Sequence, residues 1–159
     1  MPNIVVGISD LKVGKSPDIL VTYALGSCVG ICLYDKMAGV AGLSHIMLPD
    51  STAIKDGHKS SMKFADTAIP MLIDNMKKYG ANQRNITAKI AGGALMFATN
   101  SQKFNIGERN VISVKKVLHD LKIPIIAQDT GLDYGRTVFF HASTGKLQVK
   151  SAVKGIIEI

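Results

Sequence analysis

An α+β fold, an α/β sandwich of mostly antiparallel sheet layers with two main helices, is the class this sequence predicts. Three observations carry it: many short apolar or alternating runs, only two helical patterns, and a wide separation of those two patterns among the runs. A doubly wound parallel fold would instead alternate strand and helix along the chain.

In order, strands are expected near Ile4–Ser9, Ile19–Ala24, Val29–Tyr34, Val40–Met47, Thr87–Ala91, Ile123–Gln128, Thr137–His141 and Leu147–Ala152. The first helical pattern runs from about Ser61 to Tyr79, with Phe64, Ala68, Leu72 and Met76 on one stripe. Pro70 inside it should kink or divide the helix. The second runs from about Gly107 to Leu121, with Val111, Val114, Leu118 and Leu121 in register and Pro124 closing it. Asp35-Lys-Met-Ala-Gly39 reads as a turn, so Val29–Tyr34 and Val40–Met47 should form a hairpin, and hairpin connections should dominate the sheet.

The 159 residues fit one domain spanning 1–159, and 47% hydrophobic with 19% charged residues describes a packed core. The start lacks a basic leader, Asp10 interrupts its apolar run, and it reads as a first strand. No stretch approaches the roughly 18 apolar residues of a membrane span. A cytoplasmic protein without membrane insertion is therefore expected. The formal charge of +7 suits an acidic partner, but the lysines are scattered apart from Lys77-Lys78 and Lys115-Lys116, both on helical patterns. No basic stripe or motif for nucleic acid emerges. Four histidines without ligand spacing give no metal site, and nothing calls for a cofactor.

Cys28 and Cys32 are the two thiols. On a strand their spacing puts them on one face about 13 Å apart, too far for a disulfide. The stretch Leu25-Gly-Ser-Cys28 ends one strand in a sharp turn and begins the next with Cys28. A side chain there projects at the mouth of the fold, and N–H groups at Gly26 and Ser27 suit an oxyanion or substrate carbonyl. A free cysteine is often a small core residue, and the segment alone favours that reading.

The hairpin adds a partner. A four-residue loop, Asp35–Ala38, closing Tyr34 onto Gly39 sets a register that also places Cys28 opposite His45. A thiol–imidazole pair activates a weak nucleophile, because an adjacent imidazolium lowers the thiol pKa. The alternative for His45 is a core histidine satisfied by the backbone. A third group normally orients such a base. Thr22 has the parity to share a face with Cys28, although a β-branched strand residue needs no such role.

Several stretches resemble the bacterial CheD proteins: Leu25-Gly-Ser-Cys28-Val-Gly-Ile-Cys-Leu-Tyr-Asp35, Gly42-Leu-Ser-His45-Ile-Met-Leu-Pro49, and Lys63-Phe-Ala-Asp66-Thr-Ala-Ile69. Lys89-Ile-Ala-Gly-Gly93-Ala-Leu-Met-Phe97, Ile106-Gly-Glu-Arg-Asn110, Ile123-Pro-Ile125 and Gly135-Arg136 follow in family order. The resemblance implies deamidation of glutamine side chains on chemoreceptors, with Cys28, His45 and Thr22 as the catalytic group. It also implies a sandwich similar to the catalytic domain of cytotoxic necrotising factor toxins. The implied partners are chemoreceptor cytoplasmic helices and a CheC-like phosphatase of phosphorylated CheY. One departure stands out: the family usually carries a second glycine after the one matching Gly131, where this chain has Leu132-Asp133-Tyr134.

In the implied mechanism the Cys28 thiolate attacks the glutamine carbonyl, and His45 protonates the departing ammonia, then activates water. The same apparatus would hydrolyse a glutamyl methyl ester. Two rival classes are a non-catalytic regulator of a CheC-type phosphatase and a different Cys–His hydrolase, a peptidase or transglutaminase. The intact Cys28, His45 and Thr22 set weighs against the first, and the second has no recognisable groove or acceptor motif. The segment from Ala91 through Phe97 to Phe104, apolar without clear periodicity, reads as a partner-docking loop with Phe97 and Phe104 as contacts, or as core.

Overall fold

A computed structural model describes residues 3–53, 55–96 and 105–159. Ten strands run β1 (Asn3–Val5), β2 (Asp10–Lys15), β3 (Ile19–Leu25), β4 (Val29–Asp35), β5 (Val40–Ile46), β6 (Ile86–Gly92), β7 (Ile125–Thr130), β8 (Arg136–His141), β9 (Leu147–Ser151) and β10 (Gly155–Glu158). Two helices, α1 (Ala65–Lys77) and α2 (Ile106–Asp120), stand between them. The strands form two five-stranded sheets, β1-β3-β8-β9-β10 and β2-β5-β4-β6-β7.

The α+β sandwich therefore stands. The β1–β3 and β6–β7 pairs are parallel and the other ladders antiparallel. Consecutive strands pair antiparallel only in β4–β5, β8–β9 and β9–β10 among the described residues, and β6–β7 is joined through α2, so hairpins do not dominate. The expected first strand ends at Val5, and a turn leads into β2, an edge strand whose Asp, Lys and Gly content hides it from strand preference. The helix α1 starts at Ala65, because Phe64 is extended at φ −114°, ψ 143°, and it runs unbroken through Pro70.

The second sheet is a middle layer, buried on both faces. Val29, Ile31, Leu33, Val40 and Ile46 face the helices, where Ala68, Leu72, Met76, Val114 and Leu118 meet them. Ala41, Leu43, Cys32 and Ala91 face the other sheet and pack on Leu20, Leu25, Val138, Phe140 and Val149. Alternation along β4 and β5 thus divides each strand between two cores. Gly42 lets α1 approach, since a Cβ there would stand 2.8 Å from Met76 Sδ. Among the described residues, no helix is long and apolar enough to cross a membrane.

Candidate active site

The β4–β5 hairpin closes one residue later than the sequence register has it. Asp35 pairs with Val40, and Gly30 pairs with His45. Asp35 belongs to the ladder because its carboxylate works from there, accepting Ala38 N–H at 3.0 Å within the turn and Asn82 N–H at 2.8 Å. The loop is still four residues long, now Lys36–Gly39, with Gly39 at φ +67°. Cys28 is therefore not opposite His45. The register has moved by two residues, which preserves faces. Cys28 continues the Gly30 face one step along, diagonal to His45, where Cα atoms lie about 7–8 Å apart. It is half-buried and packs on the inter-sheet core.

Glycine at position 30 leaves the place across from His45 without a side chain. A Cβ there would meet Leu25 Cδ1 at 3.1 Å and Thr22 Cγ2 at 3.8 Å. Thr22 thus reaches the imidazole from the opposite sheet and not along a shared one. A bulge in β3 makes that possible. Thr22 pairs with Val138 and Leu25 with Arg136, so Tyr23 and Ala24 together face Thr137. The extra residue lets Thr22 and Leu25 both point inward. Ala24 takes φ +58° to do so, a strained conformation for a residue with a Cβ.

His45 and Thr22 have no exposed surface. Thr22 Oγ1 lies 2.7 Å from His45 Nδ1 and 2.7 Å from the Val6 carbonyl oxygen. The carbonyl only accepts, so the single hydroxyl proton goes to Val6. Oγ1 must then accept from Nδ1–H. The neutral imidazole consequently presents its lone pair at Nε2, which is buried and unbonded among the described residues. Burial lowers the His45 pKa from 6.5 to about 4. It also raises the Cys28 thiol, an effect only partly opposed by the residue's own N–H. Both shifts favour the uncharged forms, a neutral imidazole and a thiol, where the sequence led to an imidazolium that lowers the thiol, and no hydrogen-bond partner, sulfur included, reaches Nε2 among the described residues.

The turn that leads into Cys28 is held by its carbonyls. Gly26 O accepts Ala94 N–H at 2.9 Å and Cys28 O accepts Gly93 N–H at 2.8 Å. Gly92, at φ +105°, permits this approach, since a Cβ would collide with Cys28 O. Ala91–Ala94 thus backs the turn, whereas Leu95 and Met96 are exposed beside it, with Met96 against Gly26. Phe97 and Phe104 lie outside the described residues.

Two residues without a role in the sequence reading stand at this end. Asn110 on α2 donates to Ser27 O and Met47 O, each at 2.9 Å. Its signal was a polar residue on the buried stripe Gly107, Asn110, Val114, Leu118. Arg136 is buried, pairs with Asp129 at 3.2 Å and donates to Gly131 O at 2.9 Å. It thereby orders the Leu132-Asp133-Tyr134 loop, whose Leu132 O accepts Leu95 N–H. Cys32 is fully buried and its thiol pKa is pushed far up by burial. No cluster of metal-ligating side chains occurs among the described residues.

Comparison with known proteins gives consistent matches. A family model described as CheD chemotactic sensory transduction matches residues 47–151. A Caldanaerobacter subterraneus subsp. tengcongensis protein named "Probable chemoreceptor glutamine deamidase CheD" is 56% identical over 95% of this chain and 94% of its own length. Clostridium kluyveri and Clostridium botulinum proteins of the same name are 49% and 50% identical over 97% of this chain and 96% of theirs. The crystal structure of the Bacillus licheniformis hypothetical protein YfiH aligns with a TM-score of 0.47 at 16% identity, over 78% of this chain and 51% of that one.

Proposed function

This chain belongs to the CheD family, and from that premise we propose that it is a cytoplasmic, single-domain hydrolase over residues 1–159 that converts chemoreceptor glutamine side chains to glutamate with Cys28, His45 and Thr22. The observation that carries the chemistry is the tautomer. A buried imidazole whose Nδ1–H is taken by Thr22 leaves Nε2 unprotonated, and Cys28 packs on the core between the two sheets that Thr22 and His45 bridge.

As Cys28 Sγ bonds to the side-chain carbonyl carbon, its proton passes to His45 Nε2. The carbonyl π electrons move to oxygen, and the Cys28 N–H donates to that oxyanion. The C–N bond then breaks, His45 returns the proton to nitrogen, and ammonia leaves a thioester. Water, deprotonated by the same Nε2, attacks the thioester, and the carboxylic acid and the free thiol are released. Neither step needs a cofactor or metal. The +7 charge suits acidic receptor surfaces, and a CheC-type phosphatase is the expected regulatory partner.

The test is peptide mass spectrometry of a chemoreceptor cytoplasmic fragment incubated with the protein. Specific glutamines should gain the mass of an amide-to-acid exchange, and Cys28→Ala should abolish the change. An unmodified fragment, or full activity in Cys28→Ala, would overturn the reading.

A further inference from the structure

Asn110 sits mid-helix with no exposed surface, and the thiol, imidazole and hydroxyl leave it unexplained. Both atoms it contacts are carbonyl oxygens, so Nδ2 must be the group that faces them. The β4–β5 ladder ends at Val29 and Ile46. Asn110 takes over just beyond that end, joining the nucleophile turn to the chain leaving the base.

A trans peptide is planar, with its C=O and N–H pointing opposite ways. The Ser27 carbonyl and the Cys28 N–H belong to one such unit. We propose that Asn110 is a positioning residue for the oxyanion: by holding Ser27 O it fixes the Ser27–Cys28 peptide so that the Cys28 N–H faces the acyl oxygen. The proposal rests on the thiol-hydrolase reading above.

Two features support it. The neighbouring carbonyls, Gly26 O and Cys28 O, are already held by backbone donors at Ala94 and Gly93, and Asn110 completes the series with a side chain. Close backbone contact brings α2 within reach, because a Cβ at Gly107 would collide with Gly93 O and Ala94 O. A donor on the Ser27 carbonyl also polarises the N–H at the other side of the unit. Without it the peptide is free to rotate toward another arrangement.

Asn110→Asp and Asn110→Ala separate this role from simple packing. Two rates are measured on folded protein: deamidation of a chemoreceptor cytoplasmic fragment, and iodoacetamide alkylation of Cys28 across pH. Alkylation is displacement at saturated carbon and forms no oxyanion, so it reads only the thiol and its base. The expected result is a fall in kcat of about 10- to 100-fold, with KM and the alkylation profile within about threefold of wild type. Unchanged kcat would overturn the proposal. So would an equal fall in both rates, or failure of both variants to fold, since each makes Asn110 structural only. An inactive wild type, or an active Cys28→Ala, would overturn the underlying deamidase reading instead.

Discussion

Thr22 Oγ1 and His45 Nδ1 meet 2.7 Å apart across the gap between the two sheets, and the hydroxyl proton is committed to Val6 O. The contact selects one tautomer. Removing it frees the ring to carry its proton at Nε2, where a base must have none.

Thr22→Val should therefore lower kcat by about 10- to 100-fold, with Thr22→Ser restoring most of it. It also leaves a buried Nδ1–H without a partner, at about 1–3 kcal/mol of stability. Steady-state kinetics and urea unfolding on both variants check the two effects separately. Equal kcat in Thr22→Val and wild type would remove Thr22 from the mechanism.

Stability should fall in acid because His45 is held neutral. Its folded pKa of about 4 lies below the ordinary 6.5, so the unfolded chain binds the extra proton first. The contribution is fully present above pH 6.5 and is lost as pH falls through about 4. Its size is up to roughly 3 kcal/mol. Urea midpoints from pH 7 to 4 should converge between wild type and His45→Gln, since only the wild type carries this titration. Parallel curves would contradict it.

Iodoacetamide should label Cys28 and spare Cys32 in the native protein, because Cys32 is fully buried with a pKa pushed far up. Burial also raises Cys28, so its rate should climb with pH past the ordinary thiol value of about 8.5. A plateau already reached at neutral pH would indicate a standing thiolate–imidazolium pair.

Gly92→Ala and Gly39→Ala make a matched comparison. Both sites have positive φ, at +105° and +67°, but a Cβ at Gly92 meets Cys28 O while Gly39 faces open space. Gly39→Ala should cost about 1–2 kcal/mol and leave kcat intact. Gly92→Ala should cost more and depress kcat strongly, as it pushes on the carbonyl of Cys28. Urea unfolding and deamidation rates measure both.

Much of this was legible in the sequence. The β8 segment Arg-Thr-Val-Phe-Phe-His alternates buried and half-buried in strict period two, as its pattern demands. Cys28 and His45 share a face because the register error was an even number of residues. The error itself came from Asp35, which reads as a turn residue but takes a distant partner in Asn82 N–H. Thr22 had the right parity, yet its sheet depended on pairing with β8, near the other end of the chain. The direction of the thiol pKa was hidden for a similar reason, since burial is a property of packed layers. Phe97 and Phe104 lie outside the described residues, so the docking-loop reading stands where the sequence left it.

The start of the chain has a chemical consequence of its own. Val6 N–H is bound to Val21 O, Val6 O receives the Thr22 proton, and Ser9 N–H is bound to His45 O. The opening segment is thus a latch on the imidazole's orientation, made entirely by its backbone. An affinity handle or a shortened start that pulls Val6 off β3 would let the Thr22 hydroxyl swing free and silence the enzyme while the sandwich survives.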